Sequence, residues 1–506
     1  MFVKNMNIEK YKTEAETFLS EVEKEYYLHF SGQKDSLSLS CIFDRYKYLF
    51  DRKNILYFKD LAGKNSGESR KKFSYLIKFC TEGYLEREAK DLVDEMAAEE
   101  AEARVEIEGK MVPFRYSEVL LANEEDKIKR DVIEEKRNKI IAGHFNKNLY
   151  TYWDTLHGQA KDLGFLSYSD LFSYLKGEDF FELDAEMDKL LSETQILYEK
   201  HFGGLLEREL GIKLERSRRS DFAFIKRAKK YDRFFAKDSL TAIFKDTLLG
   251  MGIDIQKQGN INLDVEEREN KSPRAFCSTV RVPQEIYLVV MPIGGQDDYE
   301  AMLHEGGHAL HFGNTKAGLD FEYRYLGDNA VTEGYAFCLE QLMQNRQWLI
   351  DFLRITDAEA NEFVYFSNIV KLWFVRRYAG KLKYELILHG GEPISSKDKV
   401  YKDILSSVNL MEYPEESYLK DVDEGFYCTN YIRAWIFQSQ LKEYMHRKFG
   451  CEWYRKKKAG NFLRELWSYG QKYSSSEVLS QLDFKKLDPS YLVCSLTEEI
   501  KNYKNS

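Results

Sequence analysis

Two histidines and a glutamate in Ala301–Gly313 (AMLHEGGHALHFG) have the spacing of a metal site. His304 and His308 are four residues apart, so on a helix their imidazoles point the same way and can hold one metal ion. Glu305 lies about 100° round the helix, where its carboxylate can reach a water molecule at that metal. The surrounding apolar residues recur at helical spacing, which predicts a metal-binding helix over about residues 298–312.

A catalytic zinc site needs a third protein ligand and an open position. A third histidine six residues after His308 would supply it, but that position is Asn314. His311 lies on the same helix face, yet three ligands from one short helix would crowd, so packing or support of a ligand is the expected role of His311. The third ligand must therefore come from another segment.

Glu333 is the better candidate for the third ligand. It lies in a second predicted helix, over about residues 329–345, where it shares one face with Phe337 and Glu340. A carboxylate on an aromatic-bearing, buried face needs a partner, and a metal ion would supply one. The alternative is an ordinary salt bridge, which fits Glu340 better than Glu333.

The composition limits the classes of protein to consider. The 506 residues carry a net charge of −9, which argues weakly against a nucleic-acid surface. There are seven prolines, which fits long uninterrupted helices, and seven cysteines that form no C-x-x-C pair. No run of 18 apolar residues and no signal-peptide pattern is present, so we expect a cytoplasmic protein without a membrane partner.

Helical spacing dominates the chain, so the predicted fold class is mainly α. Residues up to about 250 indicate successive helices, interrupted by a small hairpin near Glu108-Gly109. Short β-branched segments between about 261 and 290 predict a small sheet next to the metal helix; they are Ile261–Val265, Ala275–Val282 and Ile286–Val290. We place a helical lobe at 1–250 and a catalytic lobe at 251–506.

These motifs together carry a resemblance to a known family. The H-E-x-x-H sequence, with Glu333 following 25 residues after His308, resembles the gluzincins, and more narrowly the thimet oligopeptidase and oligoendopeptidase F family of zinc peptidases. Arg274–Cys277 and Phe426–Phe437 (FYCTNYIRAWIF) are similar to further segments of that family. The resemblance covers about 270–345 and 420–470. It implies a two-lobed helical body around a deep channel, one Zn²⁺ per chain and short peptide substrates. No obligate protein partner is evident from the sequence.

The tyrosine-rich segment supplies the remaining candidates for catalysis. Peptide hydrolysis needs a general base, for which Glu305 fits, and a neutral donor that faces the oxyanion. Tyr431 is the first candidate for this donor and Tyr427 the second, since both lie on one face of a predicted helix over about 426–449 and the resemblance places that helix over the zinc. Packing of both rings in the core is the alternative. The family's histidine upstream of these tyrosines is absent between Pro414 and Tyr431.

Four residues are candidates for substrate binding. The segment Ile286–Val290, which contains Tyr287, could be an edge strand that pairs with an extended peptide. Gly294 and Gly295 would let a peptide backbone approach closely. Arg433 could bind a substrate carboxylate or pair with an acidic residue.

Three functional readings remain beside the leading one, a zinc oligopeptidase that cleaves internal bonds. A metallocarboxypeptidase on the same scaffold would require a free peptide C-terminus. A catalytically inert peptide-binding protein would keep the fold without turnover. A helical scaffold with a chance motif would bind no metal.

Overall fold

The computed structural model describes residues 6–503, and most of them are helical, which confirms the predicted fold class. The α-helices are α1 (Ile8–Phe30), α2 (Leu39–Tyr46), α3 (Arg52–Lys64), α4 (Gly67–Glu102), α5 (Phe114–Asn123), α6 (Lys127–Ile140), α7 (Asn146–Asp162), α8 (Tyr168–Lys176), α9 (Phe180–Leu210), α10 (Arg219–Arg227), α11 (Leu240–Gly250), α12 (Ile255–Gln258), α13 (Gln296–Asn314), α14 (Phe321–Tyr325), α15 (Asn329–Glu340), α16 (Arg346–Leu353), α17 (Asp357–Leu388), α18 (Asp398–Asn409), α19 (Tyr427–Phe449), α20 (Lys457–Ser468), α21 (Ser475–Gln481) and α22 (Pro489–Lys501).

The long helices contain no internal proline, as the low proline content predicts. Helices α4, α9 and α17 run for 36, 31 and 32 residues. Pro489 stands at the first position of α22, where its missing N–H has no intrahelical partner to lose.

Five strands form two small sheets within residues 6–503. Strands β1 (Arg104–Ile107) and β2 (Lys110–Pro113) make the predicted antiparallel hairpin. The second sheet contains β3 (Ile261–Asp264), β4 (Phe276–Arg281) and β5 (Glu285–Val289) in the order β3-β5-β4. Strand β5 is parallel to β3 and antiparallel to β4. All three predicted strands are confirmed, but the edge strand prediction is wrong: β5 is the central strand, with both edges paired.

Three helices pack closely at the centre of the catalytic half. Helix α15 lies between α13 and α19, and every residue from Ala330 to Leu339 is buried. Two glycines make this approach possible. A Cβ on Gly307 would lie 2.5 Å from the Cα of Ala336, and one on Gly334 would overlap the ring of Phe437. The close helix packing therefore explains a glycine inside the H-E-x-x-H motif.

Helix α1 joins the N-terminal half of the chain to the small sheet. Its Tyr27 ring stacks on Tyr287 of β5, with ring centroids 3.7 Å apart. Ile286 and Leu288 point to the opposite face of the sheet and are fully buried. The apolar core is continuous from Tyr11 to Ile500. The lobe boundary near residue 250 stays a prediction.

No helix within residues 6–503 combines the length and the apolar character that a membrane crossing requires.

Candidate metal centre

Helices α13 and α15 bring three potential metal ligands together. His304 and His308 come from α13 and Glu333 comes from the facing α15, as the sequence predicts. One donor atom from each side chain lies within 4.8 Å of the other two. Two imidazoles and one carboxylate are a typical donor set of a catalytic zinc site, and three protein ligands leave a coordination position open.

The atoms at the centre of this cluster fit a metal ion. The Oε2 atom of Glu333 is buried without a hydrogen-bond partner among the described residues. It lies 3.4 Å from Nε2 of His304 and 3.7 Å from Nε2 of His308. An orphaned buried carboxylate oxygen is unfavourable by itself, and a cation between these three atoms would satisfy it.

The other nitrogen of each imidazole is held by a residue of α15. Nδ1 of His304 lies 2.7 Å from Oε2 of Glu340, and Nδ1 of His308 lies 2.9 Å from Oγ1 of Thr332. Such contacts fix the ring orientation and leave Nε2 for the metal. Sequence reasoning missed Thr332 and assigned Glu340 to an ordinary salt bridge. The signal for Glu340 was present, because it lies two turns after Glu333 on the same face.

The electrostatics differ between the two histidines. Burial opposes charging of His304, but its contacts with Glu333 and Glu340 raise its pKa well above the usual value. Burial lowers the pKa of His308 to about 4, which keeps its imidazole neutral at pH 7. Burial acts against ionisation of Glu333, yet His304, His308 and Tyr427 bring its pKa to about 2. Glu333 therefore stays an anion, as a metal ligand must.

Glu305 lies beside the cluster on α13 and is poised to exchange a proton. Burial raises the pKa of its carboxyl to about 7, and the charge on Glu333 contributes in the same direction. A general base with a pKa near the working pH is the most effective. His311, in contrast, is fully buried and contacts the carbonyl of Gly470 through Nε2 at 3.1 Å, so it packs the helix and does not approach the cluster's centre.

The two candidate tyrosines occupy different places near the cluster. The Tyr427 hydroxyl donates to Oε1 of Glu333 at 2.6 Å. Tyr431 lies one turn further along α19, and its ring packs against Phe337 and Tyr378. Burial raises the pKa of both phenols, so both remain hydrogen-bond donors at neutral pH. The structure ties Tyr427 directly to the third ligand and packs the Tyr431 ring against that of Tyr427.

Acidic residues before α19, where the sequence lacks a histidine, anchor the start of that helix. Asp421 forms an ion pair with Arg377, and Oδ1 of Asp423 lies 2.6 Å from Nζ of Lys381. Glu424 accepts a 2.6 Å hydrogen bond from the hydroxyl of Tyr152. These contacts hold the segment that leads into Tyr427.

The chain resembles known proteins in its fold and not in its sequence. No family model matches the sequence, and no curated protein matches it significantly. The fold matches a 3.1 Å X-ray structure provisionally assigned as oligoendopeptidase F, with 13% identity, a TM-score of 0.68, and coverage of 98% of this chain and 91% of that chain.

Two further structures match over almost their whole length. A PZ peptidase A structure with an inhibitor has 15% identity and a TM-score of 0.66, over 99% of this chain and 98% of that one. A provisionally assigned oligoendopeptidase F from Bacillus anthracis strain Ames has 15% identity and a TM-score of 0.64, over 99% and 96%. The chain has the oligoendopeptidase F fold.

Within this oligoendopeptidase F fold, the two candidate glycines have a structural role. Gly294 and Gly295 have φ angles of 99° and 100°, which favour glycine. A Cβ on Gly295 would lie 2.7 Å from Oδ1 of Asp232, and the Gly295 N–H donates to the carbonyl of Phe235. The substrate-binding prediction for these glycines is therefore not supported: backbone geometry and packing before α13 account for both.

Tyr287 contacts helix α1 and not the clustered donors. It is on the face of the sheet that packs on α1, where its hydroxyl contacts Lys24 at 3.0 Å and Glu285 at 2.8 Å. Since β5 is the central strand, a peptide cannot pair with it. The prediction that a peptide pairs with this strand is wrong, because β4 covers its edge, and a substrate contact of the Tyr287 side chain stays a prediction.

Arg433 pairs with acidic residues, which is one of the two alternatives for it. Its guanidinium binds both carboxylate oxygens of Asp328, at 2.8 and 2.7 Å, and also contacts Glu178. Asp328 accepts a hydrogen bond from the Ala330 N–H and so caps α15. These contacts show the ion-pair alternative for Arg433, and a role in binding a substrate carboxylate stays a prediction.

We expect Arg433→Ala to lower the free energy of unfolding by about 3–5 kcal/mol, because two largely covered carboxylates, those of Asp328 and Glu178, would lose their cation. Urea denaturation followed by circular dichroism measures this change. The matched control is Arg346→Ala, whose ion pair with Asp357 is exposed, and it should change stability by about 1 kcal/mol or less. Equal effects of the two variants would contradict the structural role.

A second cluster of potential ligands does not fit a metal in the same way. Glu385, Asp423 and Cys428 lie together beneath the start of α19. Nζ of Lys381 lies 2.6 Å from Oδ1 of Asp423 and 3.9 Å from Oε1 of Glu385. The lysine already supplies the cation there.

Proposed function

We propose that the protein is a zinc-dependent oligopeptidase that hydrolyses internal bonds of short, unstructured peptides. The observation that carries this proposal is the convergence of donor atoms from His304, His308 and Glu333. The Oε2 atom of Glu333 is buried there without a hydrogen-bond partner among the described residues, and Glu305 lies beside the cluster. The likeness to oligoendopeptidase F and PZ peptidase structures supports the same reaction class. The motif resemblance at about 270–345 and 420–470 agrees with it.

The residues around the cluster have complementary roles in this reaction. His304, His308 and Glu333 would hold the zinc ion, which would supply Lewis acidity for the scissile carbonyl and for a water molecule. The Glu305 carboxylate accepts a proton from the attacking water and delivers it to the nitrogen of the leaving amine. Because burial brings its pKa to about 7, Glu305 can perform both transfers near neutral pH.

The tyrosines of α19 contribute hydrogen bonds from neutral phenols. Tyr431 donates to the oxygen on which negative charge develops in the transition state. Tyr427 donates to Oε1 of Glu333 and thereby orients the other oxygen, Oε2, towards the histidines. The first role acts on the rate of the chemical step, and the second acts on metal affinity.

We expect Tyr431→Phe to lower kcat by about 10²–10³-fold with little change in KM, the usual cost of removing one oxyanion donor. Tyr427→Phe should instead weaken zinc binding by about 10–100-fold, because Glu333 loses the group that orients it. Steady-state kinetics at saturating zinc and a zinc titration with a competing chelator separate the two effects. A zinc affinity that falls in Tyr431→Phe and not in Tyr427→Phe would contradict this assignment.

The first experiment is elemental analysis of the purified wild-type protein and His308→Ala, together with cleavage of a quenched fluorescent peptide library. The proposal expects one zinc per wild-type chain, no stoichiometric zinc in the variant, and cleavage that requires zinc. Bound zinc without cleavage would favour an inert peptide-binding protein. Absence of both, even after zinc is added, would favour a scaffold with a chance motif.

The nearest alternative, a metallocarboxypeptidase, is tested by amidating the peptide C-terminus. An endopeptidase cleaves the amidated peptide, whereas a carboxypeptidase does not. The ion pairs of Arg433 disfavour the carboxypeptidase, since this residue was the sequence-based candidate for binding a terminal carboxylate. Mass spectrometry of the products locates the cleaved bond in either case.

A further inference from the structure

The free edge of β4 runs next to the metal helix. Strand β4 pairs with β5 on one side only, so alternate backbone groups along it point away from the sheet. One of these groups is the backbone N–H of Thr279, which lies at the irregularity between Ser278 and Arg281 and has its partner outside the sheet. An extended peptide that added to this sheet as a further strand would pair with these outward groups.

The carboxylate of Glu23 occupies this edge. Its Oε2 accepts hydrogen bonds from the Thr279 N–H at 3.2 Å and from the Ser278 hydroxyl at 3.0 Å. The same hydroxyl lies 3.0 Å from the Glu23 backbone carbonyl, so α1 is held against the strand at this point. The outward N–H of Thr279 is therefore already satisfied.

The capped position lies beside the reaction centre. Strand β4 packs against α13, the helix that carries His304, Glu305 and His308.

Glu23 has no cation of its own among residues 6–503. The neighbouring Lys24 is bound to Glu285 and Tyr287, and Lys34 is bound to Glu25. Burial raises the pKa of Glu23, and only its two contacts on β4 oppose this. A carboxylate held at one edge by two hydrogen bonds can be displaced without breaking an ion pair.

We propose that Glu23 is an intramolecular cap on the edge of β4, which a peptide must displace before it can pair with the strand. This inference rests on the proposed peptidase function and concerns access of substrate to the same site. The cap protects the edge while no peptide is present. The effect belongs to binding and not to the chemical step.

The test is Glu23→Ala, with Glu21→Ala as the control. Glu21 lies on the same helix but contacts Arg45 and Tyr46, away from the sheet. Glu23→Ala should lower KM for short peptides about tenfold and leave kcat unchanged, because two charge-assisted hydrogen bonds no longer compete with the peptide. Ser278→Ala, which removes one of these bonds, should lower KM less. An unchanged or raised KM in Glu23→Ala would overturn the proposal, and a raised KM would indicate that Glu23 binds a substrate cation.

Hydrogen exchange gives a readout that does not depend on turnover. The Thr279 amide should exchange about tenfold faster in Glu23→Ala than in wild type, and the rate in Glu21→Ala should match wild type. Unchanged exchange at Thr279 would overturn the cap by itself. If the wild-type protein bound zinc but cleaved no peptide, the proposed peptidase function would fail. Faster exchange in Glu23→Ala would then still show that Glu23 protects the Thr279 amide, but no substrate would displace it.

Discussion

Glu305→Gln is expected to lower kcat by about 10²–10⁴-fold while the protein keeps one zinc ion per chain. The substitution preserves the size of the side chain but removes the group that accepts and returns a proton, and general acid–base catalysis contributes about this factor. Glu305 is not among the three clustered donors, so metal binding does not depend on it. Stopped-flow cleavage of a quenched peptide and elemental analysis of the same sample measure both quantities.

The matched control for this variant is Asp297→Asn, an acid-to-amide change at an exposed position on the same helix. It should leave kcat and zinc content at wild-type values. Turnover in Glu305→Gln within about threefold of wild type would show that another group is the base. A joint loss of zinc and activity would instead place Glu305 among the ligands.

Removal of the third ligand should have the largest effect on the metal. We expect Glu333→Ala to purify without stoichiometric zinc and to show no zinc-dependent cleavage, because two imidazoles rarely make a stable catalytic zinc site. Glu333 is the only anion of the three donors, and its Oε2 atom faces both Nε2 atoms. Isothermal titration with zinc after chelator treatment measures the change in affinity directly.

Glu340→Gln provides a graded comparison at the same site. It leaves the three ligands in place but weakens the contact that orients His304, so zinc affinity should fall by about 10–100-fold. The affinities should therefore rank as wild type, then Glu340→Gln, then Glu333→Ala. Wild-type zinc binding by Glu333→Ala would mean that the third ligand lies elsewhere, and circular dichroism confirms that each variant is folded.

The metal helix and the strands could be predicted from the sequence because each depends on local periodicity. The predicted helix over 298–312 corresponds to Gln296–Asn314, and the predicted helix over 426–449 corresponds to Tyr427–Phe449. Glu333 was found because a carboxylate on a buried helix face requires a partner. The predicted helix over 329–345 is α-helical to Glu340 and then continues as a short 3₁₀ turn.

The errors concern partners that are distant along the chain. The ion pairs of Arg433 form only where α15 and the loop before α9 are placed beside it. The composition of residues 286–290 suits an edge strand and a central strand equally well. Only the strand order β3-β5-β4 shows that this strand is central. Gly294 and Gly295 favour close approach of some backbone or side chain, and the structure shows that Asp232 and Phe235 are the neighbours.

The sequence by itself determined the elements and the donors: a helix with two histidines four residues apart, a glutamate between them, a buried carboxylate on a second helix and two tyrosines on a third. These features follow from helical geometry and side-chain chemistry within one segment. Only the tertiary structure decided that Glu340 and Thr332 hold the Nδ1 atoms of the two histidines. It also decided that β4 has an unpaired edge and that Glu23 covers this edge. Those contacts join residues up to 256 positions apart, as for Glu23 and Thr279, and packing of whole helices against the sheet brings such residues together.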